Sequence, residues 1–207
     1  MRFDGLVHPL LHEAKANSAE IASGWLLTGS NASGKSTFIK AIAINLILGQ
    51  TINTCTAHNA VYYPAPVLTS MAVADSVICG ESYFVAEIKS MRRIVDAAMG
   101  NAHFYCFIDE ILKGTNTSER VAASAAVLRY LAGRSCICVA ATHDIALTDI
   151  LKDIYCNMHF SEQVTSEGVS FDYCLKSGAS KTRNAIRLLE YYQYPKEITS
   201  EANALCK

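Results

Sequence analysis

A short run near the start of the chain matches the spacing G-x-x-x-x-G-K-[ST], with its fixed positions at Gly29, Gly34, Lys35 and Ser36. Glycines at the first two positions let the backbone bend so that successive N–H groups face one point. The lysine reaches the outer phosphates of a nucleotide, and the hydroxyl after it can ligate Mg²⁺. The run therefore predicts a phosphate-binding loop made of these residues: Gly29, Ser30, Asn31, Ala32, Ser33, Gly34, Lys35, Ser36 and Thr37.

Two carboxylates follow an apolar run later in the chain. Residues 103–108 are largely apolar and lead directly into Asp109 and Glu110. Such runs are typical of parallel strands buried on both faces, and in open parallel sheets ligands bind beyond the carboxyl ends of the strands. A helix that starts with acidic residues would look similar, but a phosphate-binding loop requires a neighbouring strand of this kind. Asp109 and Glu110 are therefore predicted to lie beside the loop.

A third apolar run also ends in polar residues. Residues 135–141 are followed by Thr142, His143 and Asp144. Because parallel strands bring their carboxyl ends to one edge of a sheet, these side chains are expected beside the loop and the two acids. A histidine taken alone is more often a structural residue than a functional one. At this edge of the sheet, His143 is predicted to be functional.

These residues need strands and helices to position them. Residues 25–28 predict a buried strand before the loop, and residues 35–48 predict a helix that ends at Gly49. Bound phosphates would then lie at a helix N-terminus, where unpaired amides favour anions. Further helices are predicted over about residues 118–131 and over a segment with one apolar face, made of Phe84, Ile88, Met91, Val95 and Met99.

The remaining segments complete an α/β fold with a mainly parallel central sheet flanked by helices. In chain order they are short strands at 61–63 and 67–71, a loop at about 72–81, an antiparallel hairpin of 154–160 and 168–175 at the outer edge of the sheet, and a C-terminal helix-turn-helix from about 180 to 192 and from Pro195 onward.

The composition describes one large soluble domain. The 207 residues are 51% hydrophobic and 18% charged, and 18 Lys and Arg against 19 Asp and Glu give a formal net charge of -1. No strong field would draw in a nucleic-acid backbone, so DNA contact is expected elsewhere. No stretch reaches the about 18 apolar residues of a membrane helix, which predicts a cytoplasmic protein without a membrane partner. Most of the 8 cysteines are expected in the core rather than in a zinc site.

Together these residues resemble the ATPase domain of the MutS DNA mismatch-repair family, which belongs to the ABC-type P-loop NTPases. The similarity extends over nearly the whole chain. It is carried by His8-Pro9, the loop at 29–37, the pattern at 82–88, the block Asp109-Glu110-Ile111 with Gly114-Thr115, the pair Thr142-His143 and the C-terminal helix-turn-helix.

The resemblance implies Mg-ATP binding and hydrolysis. Lys35 and the rest of the loop would hold the phosphates of ATP, and Ser36 and Asp109 would hold Mg²⁺. Glu110 would polarise the attacking water, and His143 would sense the γ-phosphate. These roles agree with the positioning and charge stabilisation that phosphoryl transfer needs.

The resemblance also implies partners. Ser82 would act in trans, reaching across a homodimer or heterodimer to the phosphates bound by the partner's loop. Residues 1–178 would form the P-loop ATPase domain, and residues 179–207 a helix-turn-helix that promotes dimerisation. DNA would be bound by N-terminal domains that the family places before the ATPase and that are absent here. A downstream repair protein could be a further partner.

The chain departs from the family pattern near Asn17. The family usually has an aromatic residue for the adenine just before this asparagine, whereas residues 14–16 are Ala-Lys-Ala.

Three other functions fit parts of the pattern. A nucleotide-gated dimerisation module with little turnover could dispense with Glu110, and a small-metabolite kinase needs a basic lid that the arginines do not form. Other ABC-type ATPases usually have Leu-Ser-Gly-Gly before the acid-bearing strand, where residues 79–82 read Cys-Gly-Glu-Ser.

Overall fold

The computed structural model describes residues 1–71, 83–112, 115–165, 168–180 and 185–205. Strands and helices alternate along much of this length. The strands are β1 (Arg2–Leu6), β2 (Asn17–Glu20), β3 (Trp25–Thr28), β4 (Asn59–Val61), β5 (Val67–Ser70), β6 (Phe104–Asp109), β7 (Cys136–Ala141), β8 (Cys156–His159), β9 (Glu162–Thr165), β10 (Gly168–Phe171) and β11 (Lys176–Ser177). The helices are α1 (Lys35–Ile52), α2 (Tyr83–Ala98), α3 (Thr117–Ala132), α4 (Ala146–Ile150), α5 (Ala185–Tyr191) and α6 (Lys196–Leu205).

Six of the described strands form a central sheet, in the order β11-β8-β3-β7-β6-β5. β3 pairs in parallel with β7 and β8, and β6 pairs in parallel with β5 and β7, whereas β11 is antiparallel to β8. A smaller antiparallel sheet has the order β2-β1-β4. The central sheet confirms the predicted α/β fold with a mainly parallel sheet.

The predicted antiparallel hairpin is wrong in its first arm. Residues 156–159 form β8, which lies parallel to β3 inside the central sheet and has β11 as its antiparallel neighbour. The hairpin that the structure contains pairs β9 with β10 as a separate sheet of two strands. Alternation of apolar and polar residues identifies a strand but not its partner. Here the burial of Tyr155 and Phe160, on either side of β8, places that strand in the central sheet.

Helix α1 continues past its predicted end at Gly49, so that prediction is wrong by about one turn. The helix ends at Ile52, and Asn53 follows with a left-handed φ of 53°. A Cβ at position 49 would lie 1.8 Å from the Tyr62 hydroxyl oxygen, and Tyr62 stacks against Phe3. Gly49 is therefore a close-packing residue, and Asn53 takes the left-handed position that commonly ends a helix.

The predicted core face of α2 is also offset, because Ile88 and Met99 are exposed. The observed buried stripe is turned by one residue, or about 100°, from the predicted one. Apolar periodicity alone does not predict which face of α2 is buried, since two of the buried side chains are polar. The residues that α2 buries are Glu87, Ser90, Met91, Ile94 and Ala98.

Two apolar layers cover the faces of the central sheet. The layer under α1 includes Ile39, Ile42 and Phe107, and the layer under α2 and α3 includes Leu128 and Cys106. Fully burying a large apolar side chain contributes about 1.5–3 kcal/mol, so these layers hold the strands firmly in register. The register in turn determines where the carboxyl ends of the strands lie.

The described C-terminal residues form α5 and α6, which contact each other. Helix α6 begins at Lys196, so Pro195 directly precedes the helix instead of lying in its first turn as predicted. The predicted loop at 72–81 and the predicted helical residues 181–184 lie outside the described part of the chain. Among the described helices, none is long and apolar enough to span a membrane.

Candidate functional site

Three neighbouring strands of the central sheet end at the same level. The register places Leu27 of β3 opposite Ala141 of β7, and Ala141 opposite Asp109 of β6. Hydrogen bonds extend this pairing by one residue, because Glu110 N–H donates to Ala141 O at 3.0 Å and Thr142 N–H donates to Leu27 O at 2.9 Å. The three segments that carry the predicted site residues therefore leave the sheet at one edge.

The glycine-rich loop connects β3 to α1. Gly29 and Gly34 have positive φ values of 141° and 111°, and Ala32 between them has a φ of 64°. A Cβ at Gly29 would lie 2.5 Å from the Phe160 carbonyl oxygen, so only glycine fits this bend. Helix α1 has no side-chain cap at its N-terminus, which is the arrangement found at anion-binding helix ends.

Lys35 lies inside this loop. It is 4% exposed, and its Nζ donates hydrogen bonds to the carbonyl oxygens of Gly29 at 2.6 Å and Ser30 at 2.8 Å. A buried ammonium group is costly unless it is paired or hydrogen-bonded, and the carbonyls of the loop meet this need. The hydrogen bonds of Lys35 therefore stabilise a loop conformation in which carbonyl oxygens surround the ammonium group.

The loop forms one wall of a pocket of about 470 Å³, a size typical of small-molecule sites. Residues 30–37 line this pocket together with Glu110, His8 and Tyr173. Burial lowers the pKa of His8, and the positive charge of Lys40 acts in the same direction. A lowered pKa favours the neutral form of the His8 ring at pH 7, and the lysines that line the pocket are Lys15 and Lys35.

Asp109 and Glu110 end β6 in different environments. Asp109 is the last residue of the strand, and its Oδ1 is buried without a hydrogen-bond partner among the described residues. An unsatisfied buried acceptor costs about 1–3 kcal/mol, and more when it is charged, so a cation at this oxygen would be stabilising. Glu110 has a left-handed φ of 65°, which turns the chain sharply out of the strand.

The structure brings Glu110 and His143 together. His143 Nδ1–H donates to Glu110 Oε2 at 2.5 Å. The Glu110 side chain is 9% exposed and the His143 side chain 46%, so the acid is the more buried member of the pair. A charge-assisted contact of this length orients both groups. Of the other predicted residues, Ser36 and Thr37 line the pocket on the loop side, and Ser82 lies outside the described part of the chain.

Tyr173 is a pocket residue that the sequence analysis misses. The residue is 47% exposed, and its ring stacks on Phe171 with ring centroids 5.8 Å apart and an angle of 23° between the ring planes. The ring lies beside the loop, because a Cβ added at Gly34 would be 3.3 Å from Tyr173 Cδ1. A distant segment thus brings an aromatic side chain to the pocket, whereas residues 14–16 contain none.

Asn17 holds Tyr173 in place. Its Nδ2 donates to the Tyr173 carbonyl oxygen at 2.9 Å, and its Oδ1 accepts from Leu175 N–H at 2.7 Å. Tyr173 itself has a left-handed φ of 51°, a conformation that needs such support. Asn17 and Tyr173 are 156 positions apart, so the aromatic pair at 171 and 173 is the only hint that the sequence offers.

Glu162 is a second residue that the sequence analysis misses. It is buried in β9, and its Oε2 accepts a hydrogen bond from Ser30 Oγ at 2.6 Å. The two residues are 132 positions apart, and no local pattern connects them. This bond ties the first turn of the loop to the body of the protein.

The fold and the site define an α/β protein with a pocket at the carboxyl edge of a mainly parallel sheet, beside a glycine-rich loop that leads into a helix. Residues 25–207 match the family described as MutS domain V. The match covers most of the chain, and the chain therefore belongs to the MutS family.

Longer proteins named as MutS proteins are similar to this chain. A DNA mismatch repair protein MutS from Natronomonas pharaonis is 30% identical over 184 residues, covering 87% of this chain and 21% of that protein. MutS protein homolog 4 from Homo sapiens is 29% identical over 216 residues, covering 96% of this chain and 23% of that protein. A MutS from Thermus thermophilus is 27% identical over 206 residues, covering 96% of this chain and 24% of that protein. The chain thus spans less than a quarter of the length of these relatives.

Proposed function

We propose that this chain is a P-loop NTPase of the ABC type that binds Mg-ATP and hydrolyses it. The observation that carries the proposal is the contact between Glu110 and His143 beside the glycine-rich loop. A site that only binds nucleotide needs the loop, but it does not need an acid oriented by an imidazole at the edge of the pocket. Hydrolysis needs an oriented water and compensation of developing charge, and these side chains are suited to both tasks.

The loop would bind the phosphates of ATP. Its left-handed positions turn backbone N–H groups toward one point, and helix α1 adds the positive end of its dipole. Lys35 Nζ is already enclosed by the loop through the carbonyls of Gly29 and Ser30. It would exchange these neutral acceptors for phosphate oxygens, which carry negative charge and accept stronger hydrogen bonds.

Mg²⁺ would be held by Ser36 and Asp109. This hard cation takes oxygen ligands and commonly uses one or two protein groups together with substrate phosphates. Asp109 Oδ1 fits the role, because it is buried and has no hydrogen-bond partner among the described residues. When bound, the ion supplies neutralisation of charge on the phosphates.

Glu110 would orient the attacking water. The hydrogen bond from His143 to Oε2 directs the carboxylate, and the low exposure of Glu110 keeps bulk water from competing for it. His143, which is more exposed, would sense the γ-phosphate. Positioning and electrostatic stabilisation of this kind typically supply several kcal/mol of the barrier reduction.

Tyr173 would provide the surface for the base. It is an aromatic ring beside Gly34 in the same pocket, and Phe171 supports its other side. Bases stack on aromatic faces with little dependence on their identity. The pocket would therefore hold a nucleotide with its phosphates on the loop and its base on Tyr173.

We further propose that the site is completed in a homodimer or heterodimer. Ser82 of one copy would reach the phosphates bound by the other, with residues 1–178 as the ATPase domain and residues 179–207 as a dimerisation element. Relatives are named as DNA mismatch repair proteins, and this chain spans 21% of one of them. With a net charge of -1, the chain itself offers no strong field for DNA, so DNA would be bound by other parts of the parent protein.

The variant Glu110→Gln tests hydrolysis and pairing together. It should keep Mg-ATP affinity, lose turnover by about 10²–10³-fold, and accumulate as a nucleotide-dependent dimer in light scattering. Glu20→Gln, an exposed position on β2, is the matched control and should behave as wild type. Wild-type protein that binds Mg-ATP without turning it over would instead be a nucleotide-gated dimerisation module.

The variant Lys35→Ala tests the binding step. It should abolish Mg-ATP binding in calorimetry, because it removes the charge at the centre of the loop. Lys152→Ala removes an exposed lysine outside the pocket and should change nothing. Unchanged affinity in Lys35→Ala would show that the loop is not the phosphate site.

A further inference from the structure

A partly buried ion pair lies next to the contact between Glu110 and His143. Arg120 Nε and Nη2 donate to Asp144 Oδ2 and Oδ1, each at 2.7 Å. The two side chains are only 13% and 9% exposed. A guanidinium that grips both oxygens of a carboxylate makes a strong and directional pair, and low exposure protects it from screening by salt. Asp144 directly follows His143 in the chain.

Arg120 belongs to a well-anchored helix end. It lies in the first turn of α3, where the Asn116 side chain caps the helix by accepting from Glu119 N–H at 3.0 Å. Arg120 N–H donates to Asn116 O at 2.9 Å in the first helical hydrogen bond. The guanidinium therefore extends from a rigid point, on the segment that follows the acids of β6.

Asp144 belongs to the turn that carries His143. Its backbone N–H donates to Thr142 Oγ1 at 3.0 Å, and its carbonyl accepts from Leu147 N–H at 3.1 Å. Thr142 in turn donates its N–H to Leu27 O of β3. His143 is thus held between Thr142, which is bonded to the sheet, and Asp144, which is bonded to α3.

The ion pair and the contact between Glu110 and His143 join the same two segments of the chain at two points. Glu110 and Arg120 lie on the segment from β6 to α3, and His143 and Asp144 lie on the segment after β7. Without Arg120, the Asp144 carboxylate would be an uncompensated negative charge next to His143. It would also compete with Glu110 as an acceptor for the His143 ring.

We propose that Arg120 and Asp144 are positioning residues that hold His143 Nδ1 in hydrogen-bonding contact with Glu110. Their effect on turnover rests on the proposed ATPase function, but their effect on the imidazole does not. Loss of the ion pair releases the turn at Asp144, while Lys35 and the loop stay in place. Catalysis should therefore suffer, and nucleotide binding should not.

The kinetic test uses Arg120→Gln, Asp144→Asn and Arg120→Lys in the full chain. In both charge-removing variants kcat for Mg-ATP should fall about 10- to 100-fold, the cost of misplacing a catalytic group by about 1 Å, with KM within about twofold of wild type. Arg120→Lys keeps the charge but not the two-pronged grip, so its kcat should lie between theirs and that of wild type. Arg92→Gln, which breaks the exposed pair with Asp96, is the control.

A second measurement does not depend on turnover. Ring ¹⁵N chemical shifts of His143 in nucleotide-free protein report the hydrogen bond from Nδ1, and loss of one signal in His143→Gln assigns them. In Arg120→Gln and Asp144→Asn the shifts should move toward those of a solvent-exposed histidine, and in Arg120→Lys they should move less.

The two measurements separate the two proposals. If the wild type does not hydrolyse ATP, the proposed function is wrong, and the ring shifts still decide the role of the ion pair. Folded variants with wild-type His143 shifts, or with wild-type kcat in an active enzyme, would overturn the positioning role. If Arg120→Gln unfolds, the same criteria apply to Arg120→Lys, which preserves the charge.

Discussion

Replacing Tyr173 with alanine tests whether this ring carries the base of a bound nucleotide. The ring lines the pocket beside Gly34 and rests on Phe171, so its removal deletes one flat wall without touching the loop. Stacking of a base on an aromatic side chain is worth about 1–3 kcal/mol. Affinity for Mg-ATP should therefore fall by about 5- to 150-fold.

Removing the support of the ring should have a related effect. Asn17→Ala deletes the two hydrogen bonds to Tyr173 O and Leu175 N–H, each worth about 0.5–1.5 kcal/mol. The ring then loses its defined position, and the affinity for Mg-ATP should fall in the same direction. Because both changes act on one contact, the double variant should lose less than the sum of the two single losses.

Calorimetry with two ligands gives the decisive comparison. Mg-ATP carries a base and Mg-tripolyphosphate does not, so Tyr173→Ala should weaken only the first. Tyr173→Phe keeps the ring and serves as the control, with affinity close to wild type. Equal losses for both ligands, or unchanged ATP affinity in Tyr173→Ala, would refute the assignment of the ring to the base.

Two further predictions concern stability. Gly49→Ala should lower Tm in calorimetry by about 2–4 °C for each kcal/mol lost, because overpacking against Tyr62 costs about 1–3 kcal/mol and exceeds the gain in helix propensity of about 0.5–1 kcal/mol. The control is Gly133→Ala, which should be tolerated because Gly133 has a φ of -82° and room for a methyl group. Equal changes in Tm for both variants would contradict the packing role of Gly49. Arg120 lowers the pKa of Asp144 in the folded protein through its hydrogen bonds. The stability that this carboxylate contributes is therefore present above the pKa of an unfolded aspartate, about 3.9, and is lost as the pH falls through the lower pKa of the folded protein. In urea titrations the advantage of wild type over Asp144→Asn should therefore shrink below about pH 4, and an advantage independent of pH would argue against the ion pair as its source.

Much of the central sheet could be predicted from the sequence because local patterns determine it. Apolar runs of strand length that end in polar residues identify β3, β6 and β7, and parallel strands must bring their carboxyl ends to one edge. The closeness of Glu110 and His143 follows from that rule. The ends and buried faces of helices were harder to predict, since Gly49 serves close packing against Tyr62 rather than ending α1, and the buried face of α2 includes polar residues.

The sequence by itself determined the glycine-rich loop, the acids at the end of β6 and the histidine after β7, because each depends on residues that are neighbours in the chain. The tertiary structure alone decided which distant side chains complete the pocket. A hydrogen bond from Asn17 holds Tyr173 beside the pocket, and a hydrogen bond from Ser30 connects the loop to Glu162. The ion pair of Arg120 and Asp144 joins two segments at the edge of the sheet. The physical reason is that hydrophobic periodicity specifies the type of an element, whereas contacts between elements arise only when the sheet order and register bring them together.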